Sequence, residues 1–466
     1  MADSERPSFS IAALVARLRR LFPWPGQPPI VRPDPADLDR ERLRSQVAVI
    51  RKAFGGEVAV AAVDGGGGAR DDSEMAYLYH PRRALVREDR FDEARLFFEN
   101  ERDRFDGGLE RDGSPIAGLL SVILPGRADG GDTVLTTLNE VDDALGRGAM
   151  TPDHVVYVVG YGRICPATEP DEPSSGSPVP PVATNQKAGA EVRVAVVDTG
   201  WWAQAGKNHA WLSGVAADPS DLETVNPSAI HEYAGHGTFV AGVVRCLAPS
   251  AAVEVEGFLP KGGAVYESEI CKQLDEAITD ENRPQIISIS AGTHTRLSIP
   301  LLGFEILAAV KSLLDPANKV LVVAAAGNDG STEKFYPAAF DWVVGVGSVD
   351  SNGKISDFSN TSDPNGDDWV NVYARGRDVV NAFPNGTYTC YEPENIHNGV
   401  PDVRHFRGMA RWSGTSFSTP IVSGAIAAQM SAMQTDDPRA AYDALLKGAT
   451  QSTNAKVGTF RTIGPL

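Results

Sequence analysis

The chain has 466 residues, 42% hydrophobic and 22% charged, a globular composition long enough for two or three domains and a large buried core. Its net charge of −18 argues against nucleic acid as a partner, because phosphate contacts want clustered Lys and Arg. No apolar run is long enough to span a bilayer, and the four cysteines (Cys165, Cys246, Cys271, Cys390) are too few for a disulfide scaffold and lack zinc-site spacing.

In chain order, the first apolar run (11–16) is short and followed, not preceded, by arginines. It does not read as a secretory signal and points to a cytoplasmic setting. Ile11, Leu14, Val15, Leu18, Leu21 and Phe22 mark one face of a helix, with Arg17, Arg19 and Arg20 on the other. Such a face over residues 10–22 suits an anionic membrane surface or packing on the protein itself. A proline-rich tract completes the leader, so residues 1–40 read as amphipathic helix plus extended linker. Residues 41–56 suit a helix, and the glycines 65–68 mark a loop without the Lys-Ser/Thr sequel of a phosphate cradle. Extended segments at 77–79, 84–86, 119–124 and 154–159 alternate with helices at 91–105 and 133–145. That pattern predicts a small α+β domain over 41–165. The stretch 166–190, rich in Pro, Ser, Glu and Asp, reads as an exposed linker, either a processing site or a permanent tether.

From 191 onward the pattern predicts an α/β fold: a mainly parallel sheet with helices on both faces. Strands fall at 192–197, 252–258, 285–290, 320–325 and 342–347, with helices near 266–280 and 302–314. Four polar residues stand at strand ends or helix starts. Asp198 closes a buried strand, His236 lies between Gly235 and Gly237 before a small-residue helix, and Asn328 follows Ala324-Ala325-Ala326-Gly327. Ser416, in Gly414-Thr415-Ser416, opens a second small-residue helix with Pro420 expected in its first turn, where a missing N–H costs nothing. Ligand sites on such sheets gather at the carboxyl ends of strands, where Asp198, Ser290 and Asn328 fall.

These co-ordered segments, spanning about 190–450, resemble the subtilisin family of serine peptidases. The resemblance implies peptide-bond hydrolysis by an Asp-His-Ser triad: Ser416 attacks the scissile carbonyl, His236 takes and returns the proton, and Asp198 orients the imidazole. Asn328 would donate its amide to the oxyanion. Substrate would add as an extra strand along Ser290, Ala291 and Gly292, with Ala324, Ala325, Ala326 and Gly327 lining the primary pocket. Asp329 at the rim would favour a basic residue there, whereas Phe335 would fill the floor, and the two hints conflict. The 41–165 domain matches, in size and position, the α+β propeptide that assists folding and blocks the cleft in this family, with a partner-sensing domain as its rival. The protein or peptide substrate is then the main partner and the chain's own N-terminal domain an intramolecular inhibitor. The alternatives are a silent peptide-binding module and a peptide ligase or macrocyclase of the same fold.

The chemistry needs no cofactor, and no metal ligands are assigned. Calcium often stabilises such folds, and the acid-rich loop 363–368 offers hard oxygen ligands without a defined spacing. Phe239 and Phe417 depart from the family's usual histidine and methionine, and the long stretch before Ser416, with His397 and His405, reads as a surface insertion near the cleft.

Overall fold

The computed structural model describes residues 35–62, 71–130, 133–158 and 167–465. The predicted leader helix at 10–22, the glycines 65–68 and Cys165 lie outside the described residues. Contacts divide the chain after Leu38, and Asp39–Leu466 form one compact unit. Among the described residues no helix is long and apolar enough to cross a membrane.

The first layer starts with α1 (Pro35–Ala53), β1 (Ala59–Ala62) and β2 (Met75–Arg87). The two short extended pieces expected at 77–79 and 84–86 are one strand with a register shift between Tyr79 and Ala84, which is why the alternation breaks at Pro81. After α2 (Phe91–Asn100) come β3 (Glu110–Ile116), β4 (Leu119–Ile123), α3 (Thr133–Leu145) and β5 (Met150–Tyr157). All their ladders are antiparallel. Tyr79, Val86, Leu120 and Val122 bury one face under Phe98, Leu135 and Leu138 of α2 and α3.

The second layer is an eight-stranded sheet. It contains β6 (Arg193–Val197), β7 (Ala252–Glu256), β9 (Ile286–Ile289), β10 (Leu321–Ala325), β11 (Val343–Val349) and β12 (Val372–Arg375). The order runs β12-β11-β10-β9-β6-β7, all parallel, with an antiparallel C-terminal hairpin beyond β12. Val197 pairs with Ile289 and Ile289 with Ala324, so the chain leaves three adjacent strands at one edge. Helices α4 (His236–Leu247) and α7 (Thr415–Met433) cover one face, and α5 (Glu267–Thr279) and α6 (Leu302–Val310) cover the other. α7 is apolar or small on every side and buried along most of its length, the signature of a central helix. A Cβ on its Gly424 would lie 2.8 Å from Leu247 Cβ, so glycine lets it cross α4 closely.

The first layer is not a loosely tethered module. Leu78, Leu85, Ile116 and Leu119 share a core with Ile270, Leu274, Ile306 and Leu307 of α5 and α6, so both faces of the antiparallel sheet are buried. A sixth strand, β8 (Ala264–Tyr266), joins that sheet from the second layer by pairing with β5.

The stretch 167–190 is exposed at 174–177 and 184–187, as expected of a linker, but is pinned elsewhere. Glu169 is buried, and its carboxylate accepts hydrogen bonds from the Tyr388 hydroxyl (2.8 Å), the Tyr391 N–H (2.9 Å) and the Asn395 amide (2.6 Å). Asp171 bridges Arg411 and Val179 bridges Val380 through paired backbone bonds. Polar composition here marks a strap laid over the second layer, because its acids are spent on specific donors. Cys246, Cys271 and Cys390 are free and buried.

Candidate active site

Asp198, His236, Asn328 and Ser416 are all fully buried. Asp198 follows β6 directly, and its Oδ1 accepts the Thr199 N–H at 2.8 Å and faces His236 Nδ1 at 2.6 Å. An ionised carboxylate only accepts, so Nδ1 carries the proton and Nε2 presents its lone pair. Among the described residues that Nε2 is buried with no hydrogen-bond partner. Glycines admit this geometry: Gly235 precedes α4 at φ +77°, where a side chain would collide with Pro384, and a Cβ on Gly237 would lie 2.5 Å from Gly200 O. The Thr199 hydroxyl, which sequence reading passed over, accepts the Gly237 N–H at 3.3 Å.

The Thr415 N–H (2.8 Å) and hydroxyl (2.9 Å) both donate to Asn328 Oδ1. These bonds fix which end of the amide is which. Among the described residues Asn328 Nδ2 is left buried and unpartnered. A donor stranded in this way costs about 1–3 kcal/mol, and beside a nucleophile it can serve an oxyanion.

Pro420 stands sixth in α7, not in the first turn as expected. It therefore denies Ser416 O its helical partner. The Ser290 hydroxyl donates to that carbonyl at 2.9 Å, and Ser416 Oγ lies 3.4 Å from Ser290 O. Ser290 thus supports the nucleophile's own peptide unit. The two family departures meet here as well: Phe239 and Phe417 pack at 4.6 Å, and Phe417 and Trp412 each lie 5.4 Å from the His236 ring. The Trp412 indole donates to Thr168 O at 2.6 Å, so the strap steadies the wall beside the imidazole.

Ser290, Ala291 and Gly292 leave β9, while Ala326 and Gly327 lie past the end of β10, in whose ladder Ala324 and Ala325 remain. Tyr157, the last residue of β5, donates to Gly292 O (3.0 Å) and accepts from the Gly292 N–H (3.1 Å), and the Val158 N–H donates to Gly263 O at 2.9 Å. The end of β5 is thus held as a strand between 263–266 and Gly292. The 263–266 wall was missed by sequence reading; its signal was Gly262-Gly263, since a Cβ on Gly263 would collide with Val158.

Asp329 is not at a rim. Its side chain is buried, with Oδ2 held by His294 Nε2 (3.1 Å) and the Asn360 amide (3.0 Å). Phe335 is buried between Gly292 and Gly327.

Further back, β5 carries a buried ionisable cluster. His154 Nδ1 lies 3.1 Å from Glu267 Oε2, His154 Nε2 accepts the Arg296 N–H at 3.2 Å, and Asp153 accepts from the Ser268 N–H (3.0 Å), its hydroxyl (2.7 Å) and Arg83 (3.2 Å). Burial pushes the Glu267 carboxyl up to about 8 and Asp153 up to about 6, and holds His154 down at about 3.

The insertion folds as two small hairpins, 386–389 with 403–406 and 396–397 with 400–401. His397 lies 3.5 Å from Asp402 and His405 3.2 Å from the Thr387 hydroxyl. In the 363–368 loop, Asp363 Oδ1 accepts the Asn365 N–H and Asp367 pairs with Lys334 at 2.6 Å. Among the described residues no group of three or more His, Cys, Asp or Glu side chains gathers as for a metal ion.

The Subtilase family matches residues 189–464. An intracellular serine protease of Paenibacillus polymyxa is 31% identical over 261 residues, covering 53% of this chain and 69% of that protein. The major intracellular serine protease of Bacillus subtilis strain 168 is 30% identical over 258 residues, covering 51% and 68%. Among solved structures, the patellamide maturation protease PatA is 26% identical with a TM-score of 0.43, covering 57% of this chain and 89% of that one. Matched over more than half its length, the chain belongs to the Subtilase family and is a subtilisin-like serine peptidase.

Proposed function

We propose that this chain is a serine endopeptidase folded in a latent form, with Asp198, His236, Ser416 and Asn328 as its chemical groups and its own N-terminal domain as the occupant of the cleft. Ser416 Oγ adds to the scissile carbonyl while its proton passes to His236 Nε2, the one ring nitrogen with a free lone pair. Asp198 steadies the imidazolium. The oxyanion takes the Asn328 Nδ2 hydrogen bond that no described residue uses. The imidazolium then protonates the leaving amine, and water, activated through the same nitrogen, hydrolyses the Ser416 ester.

The observation that carries this reading is the end of β5, hydrogen-bonded through Tyr157 and Val158 along both walls of the groove. Strand addition of this kind is how a peptide is presented to such a site. Gly292, which Tyr157 pairs with, stands two residues from Ser290, whose O is 3.4 Å from Ser416 Oγ.

Intact mass and fluorophosphonate labelling of purified wild type beside Ser416→Ala test the proposal. Labelling in the wild type alone, with internal cleavage absent from Ser416→Ala, is the expected result. Equal labelling of both proteins would overturn it.

A further inference from the structure

We propose that Phe335 sets the specificity of this site, so that the chain cleaves after small residues (Gly, Ala, Ser, Val) and rejects aromatic, long aliphatic and basic ones. The inference rests on the serine-peptidase reading above. The residue whose carbonyl reaches Ser416 must set its side chain beside Gly327, next to Asn328, and across from 290–292. Both walls are bare there: Gly292 and Gly327 have no side chains. Phe335 takes that room. A Cβ on Gly292 would lie 2.7 Å from Phe335 Cδ1, and one on Gly327 would lie 3.1 Å from both Cδ1 and Cγ, so the ring reaches from one wall to the other.

The ring is not free to withdraw. Thr293 and Tyr336 exchange backbone hydrogen bonds of 2.8 and 2.9 Å, which staples the residue after Phe335 to the residue after Gly292. The Phe335 ring also meets the His294 ring edge-on at 5.2 Å. The nearby acid offers a basic side chain little. Asp329 Oδ2 is occupied by His294 and Asn360, and His294 has its second nitrogen on Lys334 O at 3.1 Å. Burial opposes charge on His294, while the Asp329 hydrogen bond and charge raise its proton affinity. An Arg or Lys would have to pass the ring to reach that carboxylate.

The test is cleavage of a mixed peptide library by full-length wild type, Phe335→Gly and Phe335→Leu, with Ser416→Ala as blank and product termini read by mass spectrometry. Filling or emptying an apolar pocket changes selectivity by roughly 10- to 200-fold per group removed. Wild type should therefore favour small residues over Phe, Leu and Arg by at least about 10-fold. Phe335→Gly should reverse the small-to-aromatic ratio, and Phe335→Leu should relax it while keeping the core filled. Wild-type cleavage after Phe or Arg as readily as after Ala would overturn the inference alone. The library is also run on Tyr157→Pro, which loosens the strand in the groove; Ser416-dependent labelling of that variant without any peptide cleavage would also overturn the inference. Neither labelling nor cleavage by it would sink the peptidase reading, and this inference with it.

Discussion

Replacing Asn328 with Ala separates what the residue does for stability from what it does for turnover. In the folded protein the side chain contributes two opposing terms. Its Oδ1 satisfies the Thr415 N–H at 2.8 Å and hydroxyl at 2.9 Å, whereas its Nδ2 is buried without a partner. Losing the acceptor strands a buried backbone donor, at about 1–3 kcal/mol, and losing the stranded Nδ2 returns a similar amount. The terms oppose, so the net change in stability should be within about 2 kcal/mol. Turnover has no such compensation. The Nδ2 hydrogen bond would form as the oxyanion does, and removing such a donor lowers kcat by about 10²–10³, a magnitude measured in a subtilisin and hence in this chain's own family. The assay pairs thermal melting with kcat and KM on one chromogenic peptide, normalised to the titre of fluorophosphonate-reactive serine. The expected result is a near-native melt, a KM within a few-fold and a kcat lower by two orders of magnitude or more. A kcat within about 3-fold of wild type, or a loss that merely tracks unfolded protein, would refute the reasoning.

Three other outcomes follow from the geometry. Ser290→Ala leaves Ser416 O, already deprived of a helical donor by Pro420, without the Ser290 hydroxyl, so the melt should fall by the equivalent of about 1–3 kcal/mol. An unchanged melt would mean the contact is idle. Tyr157→Pro removes the N–H given to Gly292 and should raise the initial rate of peptide cleavage by full-length protein; an unchanged rate would remove β5 as the barrier. Burial raises Glu267 from 4.5 to about 8, so the stability it lends is complete below about pH 4.5 and drains away as pH climbs to 8. His154 is depressed from 6.5 to about 3, so its contribution is complete above 6.5 and lost only on acidification. Between pH 6.5 and 8, then, Glu267 is the member of the β5 cluster whose contribution changes. The melting temperature of Ser416→Ala should fall across that window, and adding Glu267→Gln should flatten the slope; parallel curves would exclude the cluster as its source.

The sequence carried the second layer well, because a parallel sheet buried on both faces must be written as short apolar runs, and polar residues at their ends have few structural uses. Asp198, His236, Asn328 and Ser416 were legible for that reason. Depth was not. Asp329 beside Asn328 reads as an exposed turn acid, and only the fold supplies His294 and Asn360 from 35 and 31 residues away. Phe335 shows the same limit, since Gly292 and Gly327 are brought around one ring by separate strands. The Pro420 register was misjudged because helix starts are set by hydrogen bonds, and the donor that replaces the lost one comes from Ser290, 126 residues earlier. The 166–190 strap shows the limit of composition: Pro, Ser and acids fit a free linker as well as a chain whose carboxylates are each claimed by a partner.

On the latent reading proposed above, the packing of the first layer decides how the site would be freed. A domain that merely docked by its cleft strand would be freed once the chain was cut between β5 and the strap. Here Leu78, Leu85, Ile116 and Leu119 are withdrawn from water into the same core as Ile270, Leu274, Ile306 and Leu307, each side chain worth about 1.5–3 kcal/mol of burial. The Arg296 guanidinium adds a 2.8 Å bond to Asp142 across the same interface, and His154 and Asp153 lock β5 onto the start of α5. A cut would remove the covalent link and leave these contacts untouched, so the strand would stay in the groove. Release therefore requires the first layer to unfold or be degraded, because separating it intact would expose the apolar faces of both α5–α6 and its own sheet. Activity should then lag behind cleavage, appearing with loss of the N-terminal fragment from the complex.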